Sequence, residues 1–589
     1  LRGPQGTLYG RNANGGVVNF ISKAPTGDFE GYVLGSYASY QDSRIQGVLN
    51  VPINDRIRAR LVADRWRRGD GFVKNVIPGG QDVDKGKSAS ARLRVQVDVT
   101  EDVTWDVAAY ALTASGPTSY FTLYNTPTPL AVSRNPYLAN AIVPLKPRRN
   151  SANDPIGANR EFGGGASTLT WDLGEAQLKS ISGYSRIADR EDRDDDSINL
   201  SAFPARRAER SRTFTQEFSI SGSAGPVDAV IGAFYMRDHK YEKLDYDFPL
   251  GIAPLPANSD LFFETFRYLS KAYAVFGDAT FNISERARLI GGVRYSEDKQ
   301  AATQRNYLQF GNLAPRTTTC PLQTNEVKFT STTPRVGAQY DVSDDSNLFA
   351  TFSKGFKVGG FNFSACNQQY RPEKVTSYEA GWKNRLLDGA LTVNVAAFYY
   401  DYTNLQLNQV VGLTSLITNA AAARVKGIEV ESAWRPDSHW TVNANLSLLR
   451  AKFTDFLNVD SLAPALGAQD VSGNYLANSP KTSFNLGVAY RTDPIVAGGR
   501  LTARGDFSYR SKVYHREFND PLDSQEAYVV VNASLIWDSP DEAYRVRAFV
   551  TNLTGEDYIV RMGSSDNFGS RFVSWGAPRQ VGVELRANF

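Results

Sequence analysis

The sequence is poor in the residues that build metal centres and disulfide frameworks. Its 589 residues include only two cysteines and three histidines, His239, His439 and His515. A Cys/His metal site needs several such ligands at close spacing, and no two of these histidines stand at ligand spacing. We therefore expect neither a bound metal nor a cofactor.

Three further features are missing. No run of about 18 apolar residues exists, which excludes an ordinary transmembrane helix. The net charge of +3 is too small to indicate a nucleic-acid partner. The chain begins at Leu1 without a signal peptide, so we expect a processed form or one whose N-terminal part is missing.

Enzyme motifs are also missing. Gly86, Lys87 and Ser88 resemble part of a phosphate-binding loop, but the glycine before them is misplaced and a strand pattern follows where a helix is required. The sequence contains no Gly-x-Ser-x-Gly nucleophile motif. We expect no catalytic residues and no enzyme activity.

Alternation of apolar and polar residues fills most of the chain instead. In residues 579–589 the apolar side chains fall on one parity: Val581, Val583, Leu585, Ala587 and Phe589. The same pattern recurs in residues 56–64, 88–99 and 544–551. Because successive strand side chains point to opposite faces, each segment is predicted to be a strand with one apolar and one polar face.

Short and long connections alternate between these segments. Ten short turns are centred near residues 54, 101, 174, 225, 284, 344, 388, 436, 498 and 540. The long connections include residues 115–160, 189–209, 297–325 and 452–480. Ten turns join twenty strands, and the first and last segments raise the number to about 22, an even count within the range of membrane barrels. A soluble propeller is the alternative, but no repeat of fixed length is present.

The sequence therefore predicts an all-β fold, an antiparallel transmembrane barrel of about 22 strands spanning residues 28–589. The apolar parity should face lipid and the polar parity the lumen. Aromatic residues near strand ends are predicted to form the girdles at the membrane interfaces: Tyr37, Tyr40, Tyr184, Phe398, Tyr399, Tyr400 and Tyr402. A barrel this wide carries a plugged lumen, and the glycine-rich residues 1–27 are the candidate plug remnant and linker.

Several motifs resemble those of one family, the TonB-dependent outer-membrane receptors. LRGPQGTLYG (residues 1–10) and NANGGVVNFISK (residues 12–23) resemble the end of its plug domain. SKGFKVGGFN (353–362), PEKVTSYEAGWK (372–383) and NLTGEDY (552–558) resemble its barrel motifs. The closing APRQVGVELRANF resembles the terminal strand, ending on Phe589, that the barrel-assembly machinery reads. The resemblance implies that the TonB-contacting box and most of the plug lie upstream of Leu1.

The resemblance implies a monomeric, multi-pass receptor in the outer membrane of a Gram-negative bacterium, surrounded by outer-membrane lipid. The TonB–ExbB–ExbD complex would supply the energy for importing a small-molecule ligand. A ferric siderophore is the expected ligand class, because it is the most frequent in the family. Carbohydrate, cobalamin, haem or another organic ligand stays open, as do a passive porin and a surface-binding barrel.

The resemblance also suggests contacts between plug and barrel wall. Glu379, Glu429 and Glu431 lie on the lumen parity, and Arg2 lies in the plug remnant. We hypothesise that Arg2 pairs with Glu379 and with Glu429 or Glu431. The alternative is that these carboxylates face water, as lumen residues often do.

Loop residues supply the remaining candidates. Cys320 and Cys366 flank one hairpin in an oxidising compartment, which favours a disulfide over two independent thiols. The connection at residues 115–160 contains aromatic and basic residues that could grip a ligand or pack the loop on itself: Tyr120, Phe121, Tyr124, Tyr137, Arg148 and Arg149. The charged run at residues 189–196 is interpreted as a solvated loop rather than a cation site.

Overall fold

The computed structural model describes residues 3–117, 121–311, 314–411, 414–565 and 568–589. Within these ranges the chain is almost entirely strand, as the alternating pattern predicts. The strands are β1 Glu30–Ala38, β2 Asp42–Asn54, β3 Ile57–Arg68, β4 Lys74–Asn75, β5 Gly86–Asp98, β6 Val103–Gly116, β7 Thr122–Leu123, β8 Arg149–Asn150, β9 Gly157–Asp172, β10 Ala176–Asp194, β11 Pro204–Ala224, β12 Val227–Phe248, β13 Ser259–Asn282, β14 Ala287–Gln309, β15 Thr317–Ser343, β16 Ser346–Lys357, β17 Gly360–Phe361, β18 Gln369–Tyr370, β19 Glu373–Leu386, β20 Leu391–Val411, β21 Thr414–Trp434, β22 Trp440–Val459, β23 Ala468–Asp470, β24 Thr482–Arg491, β25 Arg500–Arg510, β26 Val513–Tyr514, β27 Ser524–Gln525, β28 Tyr528–Asp538, β29 Tyr544–Thr551, β30 Ile559–Ser565, β31 Ser570–Trp575 and β32 Gln580–Asn588.

Twenty-two of these described strands pair antiparallel with their neighbours and close into one barrel, which confirms the predicted fold class. The ten short strands β4, β7, β8, β17, β18, β23, β26, β27, β30 and β31 lie in the connections. Closure is made by β1 and β32, with Tyr37 opposite Val583. At the end of this seam the Phe589 amide donates to the Gly31 carbonyl at 3.0 Å, and the Gly31 amide donates to the Phe589 carbonyl at 2.8 Å. Closure leaves no exposed sheet edge in the wall.

The ten predicted short turns all join neighbouring strands at one end of the barrel. The predicted faces are confirmed as well. Val581, Val583 and Leu585 on β32 are exposed on the outside of the barrel, whereas Met236, Arg294 and other residues of the inward parity are buried. The barrel therefore has an apolar outer belt, a short-turn end and a long-loop end.

Two expectations about the strands were wrong. Residues 297–325 were predicted to be a loop, but β14 runs on to Gln309 and β15 begins at Thr317. Beyond a membrane neither face of a strand meets lipid, so the hydropathy alternation fades while the hydrogen-bonded pairing continues. The girdle prediction also fails for Phe398, Tyr400 and Tyr402, which pair opposite Glu379, Ser377 and Val375 on the inward parity.

Helices contribute little to the described residues. One α-helix, α1 Pro129–Arg134, begins after Thr128, whose side chain accepts a hydrogen bond from the Ala131 amide. Four 3₁₀-helices cover Pro136–Asn140, Pro464–Leu466, Val496–Gly498 and Pro521–Asp523. None of these helices is long and apolar enough to cross a membrane.

Candidate functional site: the barrel interior and the loop core

The opening segment, residues 3–16, lies inside the barrel as a compact turn. The Tyr9 amide donates to the Gln5 carbonyl at 3.0 Å, and the Gly10 amide donates to the Gly6 carbonyl at 3.1 Å. The Gln5 amide reaches the Ala13 carbonyl at 2.9 Å and closes the turn. Gly10 has a φ of +77°, a conformation that favours glycine. The glycine-rich sequence thus folds into a small body that the wall can hold.

One buried ion pair ties this segment to the wall. Arg11 donates to the Asp298 carboxylate at 2.5 Å and to the Ser270 hydroxyl at 3.2 Å. The Asp298 side chain is only 1% exposed. A carboxylate this deeply buried requires a cation or several donors, because an unpaired buried charge is strongly destabilising. Arg11 is therefore an anchor of the opening segment.

A second arginine packs against the same turn. Arg294 lies between the rings of Phe234 and Phe276, with its guanidinium carbon 5.4 and 5.2 Å from their centroids. It donates to the Leu8 carbonyl at 3.4 Å. A methyl group added at Gly10 would come within 2.9 Å of this guanidinium. The close approach explains why the position requires a residue without a side chain.

The two middle barrel motifs form the cradle for the next residues. The Asn12 amide donates to the Phe356 carbonyl at 3.0 Å, and the Asn12 side chain accepts from the Val358 amide at 3.1 Å. The Asn14 side-chain amide donates to Glu373 at 2.9 Å. Phe356 and Val358 belong to the first motif, and Glu373 belongs to the second. Segments far apart in the chain thus meet where they hold residues 12–14.

Two of the residues predicted to contact the plug line one cavity in the lumen. Glu379 and Glu431 line a polar cavity of about 490 Å³ together with Gly3 and Pro4 of the opening segment. Glu379 Oε2 lies 3.4 Å from where a Cβ on Gly3 would stand. Glu429 is on the same inward parity of β21. Arg2 lies outside the described residues, so its pairing with these carboxylates stays a prediction.

The stretch after the turn differs from it. Val17 to Ile21 is a short apolar run, and it belongs to none of the described strands. Val18, Phe20 and Ile21 are 79%, 89% and 86% exposed. Composition separates the two stretches, because residues 3–16 contain Gly3, Gly6, Gly10, Gly15 and Gly16, whereas residues 17–21 contain no glycine.

The long connections pack together into a loop core over the barrel mouth. Its buried members come from four connections and the strand ends beside them: Leu123, Ala131, Leu138, Ile198, Ala202, Phe248, Ile252, Leu255, Leu261, Phe263, Phe568 and Phe572. Phe121 and Tyr137, two of the predicted ligand residues, pack against this core. Burial and the nearby Asp196 raise the pKa of the Tyr137 hydroxyl to about 12. These contacts favour the packing alternative for both residues.

The other predicted ligand residues are dispersed. The Tyr124 ring lies 6.4 Å from the Trp575 ring. Arg148 donates to the Gly576 carbonyl at 2.9 Å and pairs with Asp557, whereas Arg149 is exposed. Tyr120 lies outside the described residues. Tyr124 and Arg148 thus contact the neighbouring residues Trp575 and Gly576, and ligand binding by this set stays a prediction.

The charged run at residues 189–196 is not the solvated loop that we expected. Residues up to Asp194 continue β10, and Asp196 is fully buried. Asp196 accepts hydrogen bonds from the amides of Ile198, Ala202 and Phe203 at 3.0, 3.0 and 2.5 Å. The prediction of a solvated loop was wrong. The chain after Asp196 turns back, and its backbone amides donate to the carboxylate in place of water.

Asp154 joins Asp194 and Asp196, with carboxylate oxygens within 4.8 Å of one another. Among the described residues this is the one such group spaced for a metal ion. Burial raises the pKa of Asp196 well above its usual value, and the neighbouring Asp194 raises it further. Burial also raises the pKa of Asp154. Backbone amides at Asp194 and Asp196, and the Ser201 hydroxyl at Asp154, account for the group as part of the loop scaffold.

A buried charge network that the sequence analysis missed joins three loops. Asp523 is 0% exposed and accepts from Arg516 at 2.9 Å and from Arg571 at 2.5 Å. Arg516 also pairs with Asp460, and Arg571 reaches Asp520 at 3.2 Å. Arg571 directly precedes Phe572 of the loop core. No local pattern reveals this network, because its members are up to 111 positions apart, from 460 to 571.

Cys320 and Cys366 form a disulfide in the structure, with their Cα atoms 5.3 Å apart. The hypothesised bond is present, but it connects β15 to the segment between β17 and β18, so Cys320 lies on a strand and not in a loop as predicted. The Gln323 side chain donates to the Cys366 sulfur at 2.9 Å. The bond closes a loop of 46 residues.

Known proteins share this architecture. The ferric yersiniabactin uptake receptor FyuA from Yersinia pestis superposes with a TM-score of 0.83 at 20% identity, covering 100% of this chain and 84% of that one. The siderophore receptor PiuA from Acinetobacter baumannii gives a TM-score of 0.79 at 16% identity, covering 100% and 85%. In sequence, the pesticin receptor of Yersinia pestis is 24% identical over 100% of this chain and 80% of its own length.

The family signature extends along most of the barrel. Residues 19–553 match the family described as TonB dependent receptor-like, beta-barrel. This family consists of transport receptors, and its members are located in the outer membrane of Gram-negative bacteria. The match, the 22 strands and the segment held in the lumen agree with one another, and the chain belongs to the TonB-dependent receptors.

Proposed function

We propose that this receptor imports a ferric siderophore across the outer membrane, using energy from the TonB–ExbB–ExbD complex. The observation that carries the proposal is the occupied lumen: a closed barrel with residues 3–16 bound to its inner wall through Arg11 and Asp298. A general diffusion pore needs an open lumen. Relatives named for ferric yersiniabactin, ferric pyoverdine and other siderophores support the ligand class.

The proposal assigns different tasks to the two parts of the molecule. Residues 1–27 act as the end of a plug domain and linker, and residues 28–589 act as the barrel. Ligand binds at the exposed surface of the long loops and at the outer surface of the plug. Import requires the plug to change its contacts with the wall, since a ligand shifts only an equilibrium in which it prefers one state. The process breaks no covalent bond, so no residue has a catalytic role.

Location and partners follow from the same proposal. The receptor is a monomer in the outer membrane, its short turns lie in the periplasm, and its long loops lie outside the cell. The barrel-assembly machinery would read the last strand, which ends on Phe589, and outer-membrane lipid would surround the apolar belt. A second candidate, import of carbohydrate, cobalamin or another organic ligand, uses the same barrel, because the ligand is selected in the loops.

Uptake of radioactive iron tests the proposal. Cells that express or lack the receptor are given iron-55 as ferric yersiniabactin, ferric pyoverdine or a ferric catecholate, with and without TonB. We expect accumulation of one of these chelates only when both receptor and TonB are present. Accumulation without TonB would identify a passive pore, and binding without accumulation would identify a surface-binding barrel. Labelled cobalamin and maltodextrin serve as the matched non-iron ligands.

Receptor abundance provides an independent measurement. Quantitative mass spectrometry of outer membranes from iron-starved and iron-replete cells should show a strong rise under starvation. An unchanged abundance would favour an organic nutrient, and growth on single carbon sources would then identify it.

A further inference from the structure

A row of cations runs across four neighbouring strands on the outside of the barrel. Arg237 on β12 is in register with Lys271 on β13, Lys271 with Lys299 on β14, and Lys299 with Lys328 on β15. They share the parity of exposed outer residues such as Tyr273 and Tyr295, opposite to the buried inner parity. Lys299 and Lys328 are each 54% exposed. The row therefore points away from the lumen.

The row lies at the upper edge of the apolar belt. Arg237 is ten residues beyond Val227, the first residue of β12 after a short turn. At roughly 3.3 Å per residue and a tilt of about 40°, ten residues rise about 25 Å, which is close to the height of the apolar band of an outer-membrane barrel. Directly below the row are exposed apolar and aromatic side chains: Ile231, Tyr273, Val275, Val293 and Tyr295.

Like charges directly opposite on neighbouring strands repel, so a row of four requires compensation. Glu297 supplies part of it, accepting from Lys299 at 2.9 Å and from Lys328 at 2.7 Å. Arg237 donates to the His239 imidazole at 2.9 Å, which adds no negative charge. Among the described residues, no carboxylate forms an ion pair with Arg237 or Lys271. Glu326, opposite Ala301 on the same outward parity, is the second carboxylate of the patch, so four cations and two carboxylates leave a net charge of +2.

A shallow depression makes the patch concave. Its volume is about 400 Å³, and it is lined by Leu269, Lys271, Lys299, Gln300, Ala301, Glu326, Val327 and Lys328. The lining thus contains three lysines and one carboxylate, Glu326, among apolar and small side chains. A compact anion in this depression would meet several ammonium groups at once, which is how lysine clusters bind phosphate.

We propose that this patch binds the phosphorylated head group of a glycolipid in the outer leaflet, with the acyl chains lying on the apolar side chains below. The proposal depends on both the cations and the apolar surface beside them. Cations alone would suit any soluble anion, but cations at the edge of a lipid-facing apolar surface suit a ligand that is both anionic and amphiphilic. The inference does not depend on which nutrient the receptor imports.

The test uses the whole receptor, delipidated in a neutral detergent and titrated with lipid A by native mass spectrometry. The variant Lys271→Gln/Lys299→Gln/Lys328→Gln removes three charges from the patch. The control Arg56→Gln/Arg286→Gln/Arg435→Gln removes three exposed charges from the short-turn end. We expect the patch variant to lose at least fivefold in lipid A affinity and the control to lose less than twofold. Lipid A without its phosphates should bind the unaltered receptor as weakly as phosphatidylethanolamine does.

Thermal unfolding gives a second readout with an opposite sign. Without lipid, the patch variant should unfold at the same or a higher temperature than the unaltered receptor, because like-charge repulsion is removed. With lipid A, the unaltered receptor should gain more than the variant. Equal lipid A affinity in variant and receptor would overturn the proposal. Inorganic phosphate matching lipid A would also overturn it, showing a soluble-anion patch. Unchanged iron uptake in the patch variant would leave the proposed transport function intact and separate the two claims.

Discussion

Two clusters of buried charge, one in the lumen and one among the loops, differ in how a buried carboxylate is paired with arginine. In the lumen, Asp298 forms an ion pair with one arginine, Arg11, whose side chain is still 21% exposed. Among the loops, Asp523 forms ion pairs with two arginines, Arg516 and Arg571, whose side chains are only 9% and 11% exposed. The first cluster joins a short segment to a wall, and the second joins three loops of one scaffold.

The difference bears on which contact can be released during transport. Water can reach Arg11, so separating it from Asp298 costs less than separating two enclosed arginines from Asp523. We infer that the lumen pair is a releasable tie and the loop network a permanent one. Variants that weaken one cluster should leave the other unchanged.

The largest effect is expected for Asp523→Asn. The change leaves Arg516 and Arg571 without their shared anion and should cost about 3–5 kcal/mol of loop stability. Hydrogen exchange followed by mass spectrometry should show lost protection in residues 458–474 and 513–527, with residues 3–16 unchanged. Asp493→Asn, an exposed carboxylate at the short-turn end, is the control. Equal exchange in both variants would mean that the network does not hold the loops.

The disulfide should rank second. Replacing both Cys320 and Cys366 by serine removes a tether around 46 residues and should cost about 2–4 kcal/mol. Chemical denaturation of both forms measures the difference, and only loop peptides near residues 317–370 should exchange faster. Mass spectrometry without reductant checks the starting state, where two alkylatable thiols in the unaltered protein would contradict the bond.

Asp298→Asn should have a smaller effect at a different place. Loss of the carboxylate weakens a charge-assisted hydrogen bond, for about 1.5–3 kcal/mol. Residues 3–16 should exchange faster while residues 513–527 keep their protection. The control is Asp506→Asn, whose partner Arg504 is 44% exposed on another part of the wall. Adding Arg11→Gln to Asp298→Asn should recover part of the loss, since no charge then remains unpaired.

Gly10→Ala should loosen the same segment by steric means. The Gly10 backbone has a positive φ, and a Cβ at this position would lie 2.9 Å from the Arg294 guanidinium. We therefore expect alanine to lower the stability of the segment by about 1–2 kcal/mol. Gly15→Ala is the matched control, because nothing lies within 4 Å of its Cβ position. Similar exchange of residues 3–16 in the two variants would show that the turn is not held against Arg294.

The smallest effect concerns pH. The pKa of Asp196 is raised in the folded protein, so the folded state binds more protons than the unfolded state at mildly acidic pH. Stability from this group is present at low pH and decreases as the pH rises from about 4 through the raised pKa. Calorimetry should find a loop transition that moves to lower temperature as the pH rises above about 4. Asp196→Asn should flatten this dependence, whereas Asp493→Asn should keep it.

The barrel followed from the sequence because its determinants are local. The outward face of a residue such as Val583 is predicted from the polarity of its neighbours, and a turn such as Asn54-Asp55 is predicted from its residue types. Ten such turns were sufficient to count the strands. The ends of the long strands were missed because, above the membrane, residues such as Lys299 and Thr303 no longer alternate with apolar ones.

The interior was only partly accessible to prediction. Inward residues of β14 from Arg294 to Gln304 are buried at every second position, although lumen residues are expected to meet water. That burial depends on the opening segment and on loops lying above it, which no pattern within β14 reveals. The aromatic loop residues were assigned to a ligand for the same reason. The sequence shows that Phe121 and Tyr137 are aromatic, but it does not show which distant residues they pack against.

The sequence by itself determined the strand periodicity, the number of strands, the inward and outward faces and the membership of a receptor family. The first three rest on residues a few positions apart, where side-chain direction and turn chemistry act directly. The family rests on the resemblance of motifs spread along the chain. Only the tertiary structure decided that Arg11 meets Asp298, that Arg516 and Arg571 share Asp523, and that three lysines from different strands form one outer row. Those contacts depend on strand register and loop packing, which are set by the closure of the whole barrel.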